Sequence, residues 1–264
     1  MVTIADAEAV GLSLAAGLHA ACHGAWKDSP SEGFKSRSFM REFVIATLVG
    51  IALSRIDHLT TPFVIYLSAY TLNRIVFEFY KMFFRSVPQE VYRIPTQVHF
   101  MGRVVTNRLG RAVLGLGWLS AIYGLYCLLK LLPDDMSPSL VGPIAGITFG
   151  AAIAVGGGYK DGSVTHFYLQ KFLRSPANGA LAGVLVAMHS ADLPFLALGA
   201  IAGERMLSEL QYKMLNPGYV GGHFKSLEPP FPEWVTRRRV FVVPYALTWG
   251  LFIWLWTVGR HPWL

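Results

Sequence analysis

Apolar residues in this 264-residue chain come in long runs, without the strict alternation of a half-buried strand. Eight stretches approach the ~20 residues that an α-helix needs to cross a bilayer, or ~17 at the short end. They cover residues 9–25, 40–56, 61–83, 110–132, 140–158, 173–190, 192–212 and 239–258. The second and sixth are the weakest signals, being short and entered through an arginine, Arg41 and Arg174. The pattern predicts an all-α integral membrane protein with eight transmembrane helices.

The polar residues between the runs test that count independently, because cytoplasmic loops concentrate Lys and Arg. Eight crossings place Lys27, Lys35, Arg37 and Arg41 on one side, then Lys81, Arg85, Arg93, Arg103, Arg108 and Arg111. Lys160, Lys171 and Arg174 follow on that side, and finally Lys213, Lys225 and Arg237 to Arg239. The opposite side takes Arg55, Arg260, the acidic turn at Asp134 and Asp135, and both termini. A wrong helix count would scramble this partition. The expectation is therefore cytoplasmic basic loops and non-cytoplasmic ends.

The same pattern repeats. Gly24-Ala25-Trp26-Lys27-Asp28, followed by Phe34, Phe39 and Arg41, returns 133 residues on as Gly157-Gly158-Tyr159-Lys160-Asp161, followed by Phe167, Phe172 and Arg174. Pro62-Phe63 matches Pro194-Phe195, and Arg74 and Glu78 match Arg205 and Glu209. A collinear series of this kind predicts a tandem duplication of a four-helix unit, residues 1–135 and 136–264, within one membrane domain. Four crossings per unit bring both copies into the membrane in the same direction. Their expected relation is a pseudo-two-fold axis along the membrane normal, as in parallel-repeat transporters.

Composition agrees: 53% of residues are hydrophobic, 15% are charged, and the formal net charge is +7. In a soluble protein that charge would suggest nucleic acid, but here the cations punctuate apolar runs, so the expected partners are the bilayer and anionic lipid at the basic loops. Residues 84–109 and 213–238, rich in Pro, Arg and aromatics, are expected to include segments anchored among the head groups. Cys22 and Cys127 both lie inside apolar runs, which leaves no disulfide framework. The first eight residues hold Asp6 and Glu8 but no Lys or Arg, so the run after them is expected to be a retained span and not a cleaved signal.

Two charged constellations are candidates for chemistry. Lys27-Asp28 and Lys160-Asp161 sit where the first and fifth spans end, forming a candidate entrance motif, and Gly24, Gly156, Gly157 and Gly158 are candidate hinges that let those helix ends unwind. Arg74 and Glu78, spaced i,i+4, recur as Arg205 and Glu209, with Asn73 and Glu204 just before each arginine. Ionisable groups inside a membrane are costly and mark polar pathways, so Arg74, Glu78, Glu204, Arg205 and Glu209 are the candidate lining. His19 and His23 share one face of the first span at metal-ligand spacing, but their counterparts are Ala152 and Gly156 and no matched carboxylate or thiolate accompanies them. No cofactor, metal site or catalytic residue is expected. Signatures of nucleotide, zinc-protease and serine-hydrolase chemistry do not occur.

The run Gly156-Gly157-Gly158-Tyr159-Lys160-Asp161 resembles the Gly-Gly-Gly, basic residue, Asp segment of prokaryotic trimeric intracellular cation channels, whose glycines kink pore helices. The resemblance covers those six residues. Those channels have seven spans with an inverted repeat, whereas this chain reads as eight with a parallel one. No residue role carries over.

Three functions follow as expectations of different strength. The first is a channel or transporter for a small ion or polar solute, with a path near the pseudo-axis. The second is a non-catalytic structural subunit of a larger membrane complex or homo-oligomer. The third is an enzyme acting on lipid head groups at the cytoplasmic interface, using Asp28 and Asp161.

Overall fold

The computed structural model describes residues 4–56, 61–85, 95–100, 103–162, 167–216 and 228–259. The chain is all-helical apart from one two-residue hairpin. In order come α1 (Ile4–Glu32), α2 (Ser36–Leu53) and α3 (Pro62–Phe79), which widens into a π-helical turn at Tyr80–Phe84. The hairpin β1 (His99–Phe100) and β2 (Arg103–Val104) precedes α4 (Arg108–Leu129), α5 (Pro138–Gly162), α6 (Leu169–Ala187) and α7 (Leu193–Glu209). A second π-helical turn, Leu210–Met214, ends α7; the short α8 (Glu233–Arg237) then leads through a 3-10 turn into α9 (Val242–Val258).

Local chemistry sets several of these boundaries. Pro62 and Pro194 open α3 and α7 in the first turn, where a missing N–H costs nothing. Asn107 caps α4 by accepting a hydrogen bond from the Leu109 N–H at 3.0 Å. Gly33 stops α1 with a φ of +70°, and the Phe231 ring lies 3.3 Å from where a Cβ would stand.

Among the described residues, three helices are long and apolar enough to cross a membrane: Arg108–Leu129, Pro138–Tyr159 and the segment Glu233–Val258. The protein is therefore membrane-associated. The other helices fall short for a physical reason. The bundle buries polar groups among an apolar core and also exposes apolar side chains over its outer surface, unlike a water-soluble domain. Met40, Val44, Leu48 and Ile51 of α2, a long row on α4 from Leu109 to Leu128, and Val243, Leu247 and Trp254 of α9 are all exposed, an apolar surface far beyond what a soluble monomer shows. Meanwhile α1, α3 and α7 bury His19, His23, Asn73, Glu204 and Glu209. Those polar residues lower the hydropathy of the central helices.

Small residues bring the helices together. Gly142, Gly146 and Gly150 of α5 face Gly183, Gly179 and Ser175 of α6 so closely that a Cβ on Gly146 would stand 1.9 Å from the Gly179 carbonyl oxygen. Gly17 and Gly50 do the same between α1 and α2, against Ala46 and Ser13. In the core α3 packs between α1 and α7; α9 packs on α1 and α3, whereas α4 packs on the π-helical turn after α3 and on α5 and α7.

The expected unwinding at the glycines does not occur. α1 runs unbroken through Gly24, Lys27 and Asp28 to Glu32, and α5 runs through Gly156, Gly157 and Gly158 to Gly162. A glycine inside a helix costs about 1 kcal/mol, less than breaking buried backbone hydrogen bonds, so flexibility alone does not open the ladder. The 29 residues of α1 also rise about 44 Å at ~1.5 Å each, which carries Lys27 and Asp28 past a ~30 Å hydrocarbon core.

Candidate functional site

The helices α1, α2 and α3 splay at their basic end around an open cavity of about 130 Å³. Its wall carries Lys27, Asp28, Glu32, Lys35, Arg41, Glu42, Lys81 and Arg85, and its floor reaches His23 and Arg74. Lys27 Nζ pairs with Asp28 at 3.1 Å, and Lys35 pairs with Glu32. Burial pushes the Asp28 carboxyl up, but the ammonium groups of Lys27 and Lys81 outweigh it and hold its pKa below the ordinary aspartate value. Arg41 stacks over Phe77 at 5.2 Å and Tyr80 at 5.7 Å on the opposite wall.

Below the floor is a polar cluster centred on Glu209, which is 1% exposed, with Arg74, Glu78 and Lys81 half-buried on its cavity side. Tyr70 donates its hydroxyl proton to Glu209 Oε2 at 2.7 Å. Arg74 Nη2 donates to Glu209 Oε1 at 3.2 Å, and His23 Nδ1 lies 3.1 Å from Oε2. Arg74 also reaches Glu78 at 3.6 Å, and Lys81 meets the same Glu78 oxygen at 3.6 Å. One turn further along α1, His19 Nδ1 lies 3.0 Å from the Tyr66 hydroxyl, inside a cage of Tyr66, Tyr70, Tyr245 and Trp249 rings.

Helical periodicity builds this cluster. Tyr66, Tyr70, Arg74 and Glu78 are spaced i,i+4 along α3 and form one stripe, while His19 and His23 form a second on α1 facing it. Burying so many polar groups costs several kcal/mol per charge unless each is paired. The carboxylate of Glu209 meets that condition through partners on two other helices, α1 and α3.

The predicted lining residues divide. Arg74, Glu78 and Glu209 come together, but Arg74 bridges the two glutamates across α3 and α7; among the described contacts Arg205 and Glu209 form no i,i+4 pair. Arg205 is half-buried on α7. Glu204 is buried elsewhere, accepting from the Ser208 hydroxyl at 2.9 Å, which in turn accepts from Asn178 at 3.2 Å. Lys27 and Asp28 stand at the cavity mouth with Gly24. The side chains of Lys160 and Asp161 lie outside the described residues, as does His58. Glu42 is also buried, within α2.

His19, His23, Tyr66 and Tyr70 escaped the sequence reading as site residues. Their signal was the i,i+4 spacing on both helices, but only the fold brings residue 23 to residue 209. Among the described residues, no three His, Cys, Asp or Glu side chains converge to hold a metal.

Comparison with known protein families, curated proteins and solved structures finds no match to this chain.

Proposed function

We propose that this chain is a multi-pass membrane channel or transporter for a small ion or polar solute. One observation carries the reading: an ionised cluster, Glu209 with Arg74, His23 and Tyr70, lies sealed inside an apolar-surfaced bundle and continuous with a charged cavity at its basic end. A bundle held together for packing alone has no need of such groups, and intramembrane charges of this kind mark ion pathways. The cavity is the cytoplasmic vestibule in this reading, and the basic residues around it also meet anionic lipid.

The architecture proposed with it is eight spans in two tandem four-helix units. Contacts that recur at equivalent positions support that duplication. The Gly17 to Glu42 approach between α1 and α2 returns as Gly150 to Ser175 between α5 and α6. Both third helices end in a five-residue π-helical turn. Arg41 lies over Tyr80, and Arg174 lies over Tyr212 at 4.0 Å. Finally α9 packs on α1 and α3 while α4 packs on α5 and α7, so each unit's fourth helix reaches the other unit, although α4 packs more closely on the π-helical turn of its own. Both termini then face the non-cytoplasmic side.

The test is flux through purified protein in liposomes under imposed gradients of small ions. Wild type is expected to conduct, and Glu78→Gln with Glu209→Gln to abolish or re-tune the flux. A folded wild-type protein that passes nothing above empty liposomes overturns the reading.

A further inference from the structure

The cavity narrows to nothing at His23 and Arg74, and the groups beyond it are sealed: His19, His23 and Tyr70 are 0% exposed. An alkali cation passing this point would have to lose its water and replace it with several oxygen ligands. It would also have to pass the Arg74 guanidinium. Yet polar groups continue past the seal, one helical turn at a time, through Tyr70 and His19 to Tyr66, which stands one turn from the start of α3 at Pro62. A file of donors and acceptors without a pore has one natural passenger.

We propose that the ion carried on this path is the proton, handed between His19, Tyr70, Glu209 and His23. The inference rests on the transport reading above and names its substrate. In the inward direction Tyr66 gives its hydroxyl proton to His19 Nδ1 and takes another at its oxygen. The His19 imidazolium then releases its Nε2 proton to the Tyr70 side, across the widest step, with ring centroids 5.3 Å apart. Tyr70 breaks its O–H bond toward Glu209 Oε2, 2.7 Å away, and accepts the replacement at its own oxygen. Glu209, now a neutral acid, passes the proton to His23 Nδ1 at 3.1 Å, and His23, whose Nε2 is buried just beneath the cavity floor, releases its Nε2 proton toward the cavity. Every hop breaks one N–H or O–H bond and forms another, so the file returns to its starting charge.

Two further observations fit a relay. Among the described residues, His19 Nε2, both ring nitrogens of His23 and the Tyr245 hydroxyl are buried with no hydrogen-bond partner; His23 Nδ1 meets Glu209 as a charge contact at 3.1 Å, so its ring has to turn to take the proton. Arg74 holds Glu209 Oε1, so Oε2 alone faces both Tyr70 and His23. The charged and titratable groups facing the relay are Tyr66, Tyr70 and Arg74 from α3, Tyr245 from α9, Lys27 from α1 and Lys213 from the turn after α7.

The experiment uses full-length protein in liposomes loaded with a pH-reporting dye, with proton, potassium, sodium and chloride fluxes measured in parallel. Wild type is expected to acidify the lumen under a proton gradient, more slowly in D2O. Glu209→Gln should lower proton flux on the order of a hundredfold, the typical contribution of a positioned proton-transfer group, and Tyr66→Phe about tenfold. Lys130→Gln, exposed at the end of α4 and away from the cavity, should leave it unchanged. Flux of potassium, sodium or chloride without protons overturns this inference and leaves the transport reading standing. Absence of every flux from folded protein overturns both. Should Glu209→Gln fail to fold, Tyr66→Phe decides: it removes one hydroxyl at the far end of the file, and unchanged proton flux in it overturns the proposal.

Discussion

At the scale of single residues, the bundle depends on how Glu209 and Arg74 are partnered. Arg74 is held between Glu78 and Glu209, and Glu209 has Tyr70 and His23 as well. Removing one member of a buried charge pair strands the other, at a cost of about 3–5 kcal/mol, whereas replacing both with apolar groups is often near neutral. Arg74→Met is therefore expected to destabilise the protein by about 3 kcal/mol, and Arg74→Met with Glu209→Leu to recover most of that loss. Reversible unfolding in mixed micelles measures both. A double variant as unstable as the sum of two singles would mean that the residues do not act as a pair. The sequence identified Arg74, Glu78 and Glu209 as polar intrusions, because a charge in an apolar run stands out by itself. It did not identify their pairing across α3 and α7, since spacing reports only neighbours on the same helix.

At the scale of elements, glycines with the same sequence appearance play opposite parts. Gly146 lies against the Gly179 backbone with no room for a methyl group, whereas Gly156 and Gly157 have nothing within 4 Å of an added Cβ. Gly146→Ala must push α5 away from α6, and overpacking of this kind costs about 1–3 kcal/mol. Gly156→Ala with Gly157→Ala should instead stabilise α5 by about 2 kcal/mol, about 1 for each residue, through helix propensity. Thermal stability in detergent separates the two variants. If the second also loses flux, the run is a hinge in function although it is helical here. Helix positions were readable because long apolar runs leave few alternatives. Their ends were less so: α1 extends to Glu32, seven residues past the predicted limit of the span, because its final turns are stabilised by neighbouring helices and by Phe231, whose N–H donates to the Pro30 carbonyl at 3.0 Å.

At the scale of the whole molecule, the question is how many helices cross the bilayer, since three meet the requirement by length and apolarity alone. The central helices α1, α3 and α7 are shielded from lipid by α2, α4, α6 and α9, so their polar content is no obstacle to crossing: what matters is the surface presented to lipid, not the mean hydropathy of each helix. α4 is the decisive element. It is the most exposed of the three apolar helices, and it sets whether the second unit enters in the same direction as the first. Single cysteines at exposed positions, introduced after Cys127→Ser, read the outcome directly. Arg37→Cys and Thr106→Cys, at the start of α2 and just before α4, are expected to react with an impermeant reagent from the basic side only, and Asp134→Cys, beyond the end of α4, from the opposite side only. Labelling of Thr106→Cys and Asp134→Cys from the same face would mean that α4 does not cross, and the two units would then have to be inverted with respect to each other. That outcome would remove the parallel axis while leaving the Glu209 cluster and its cavity in place, because α1, α2, α3 and α7 form both without any contribution from α4.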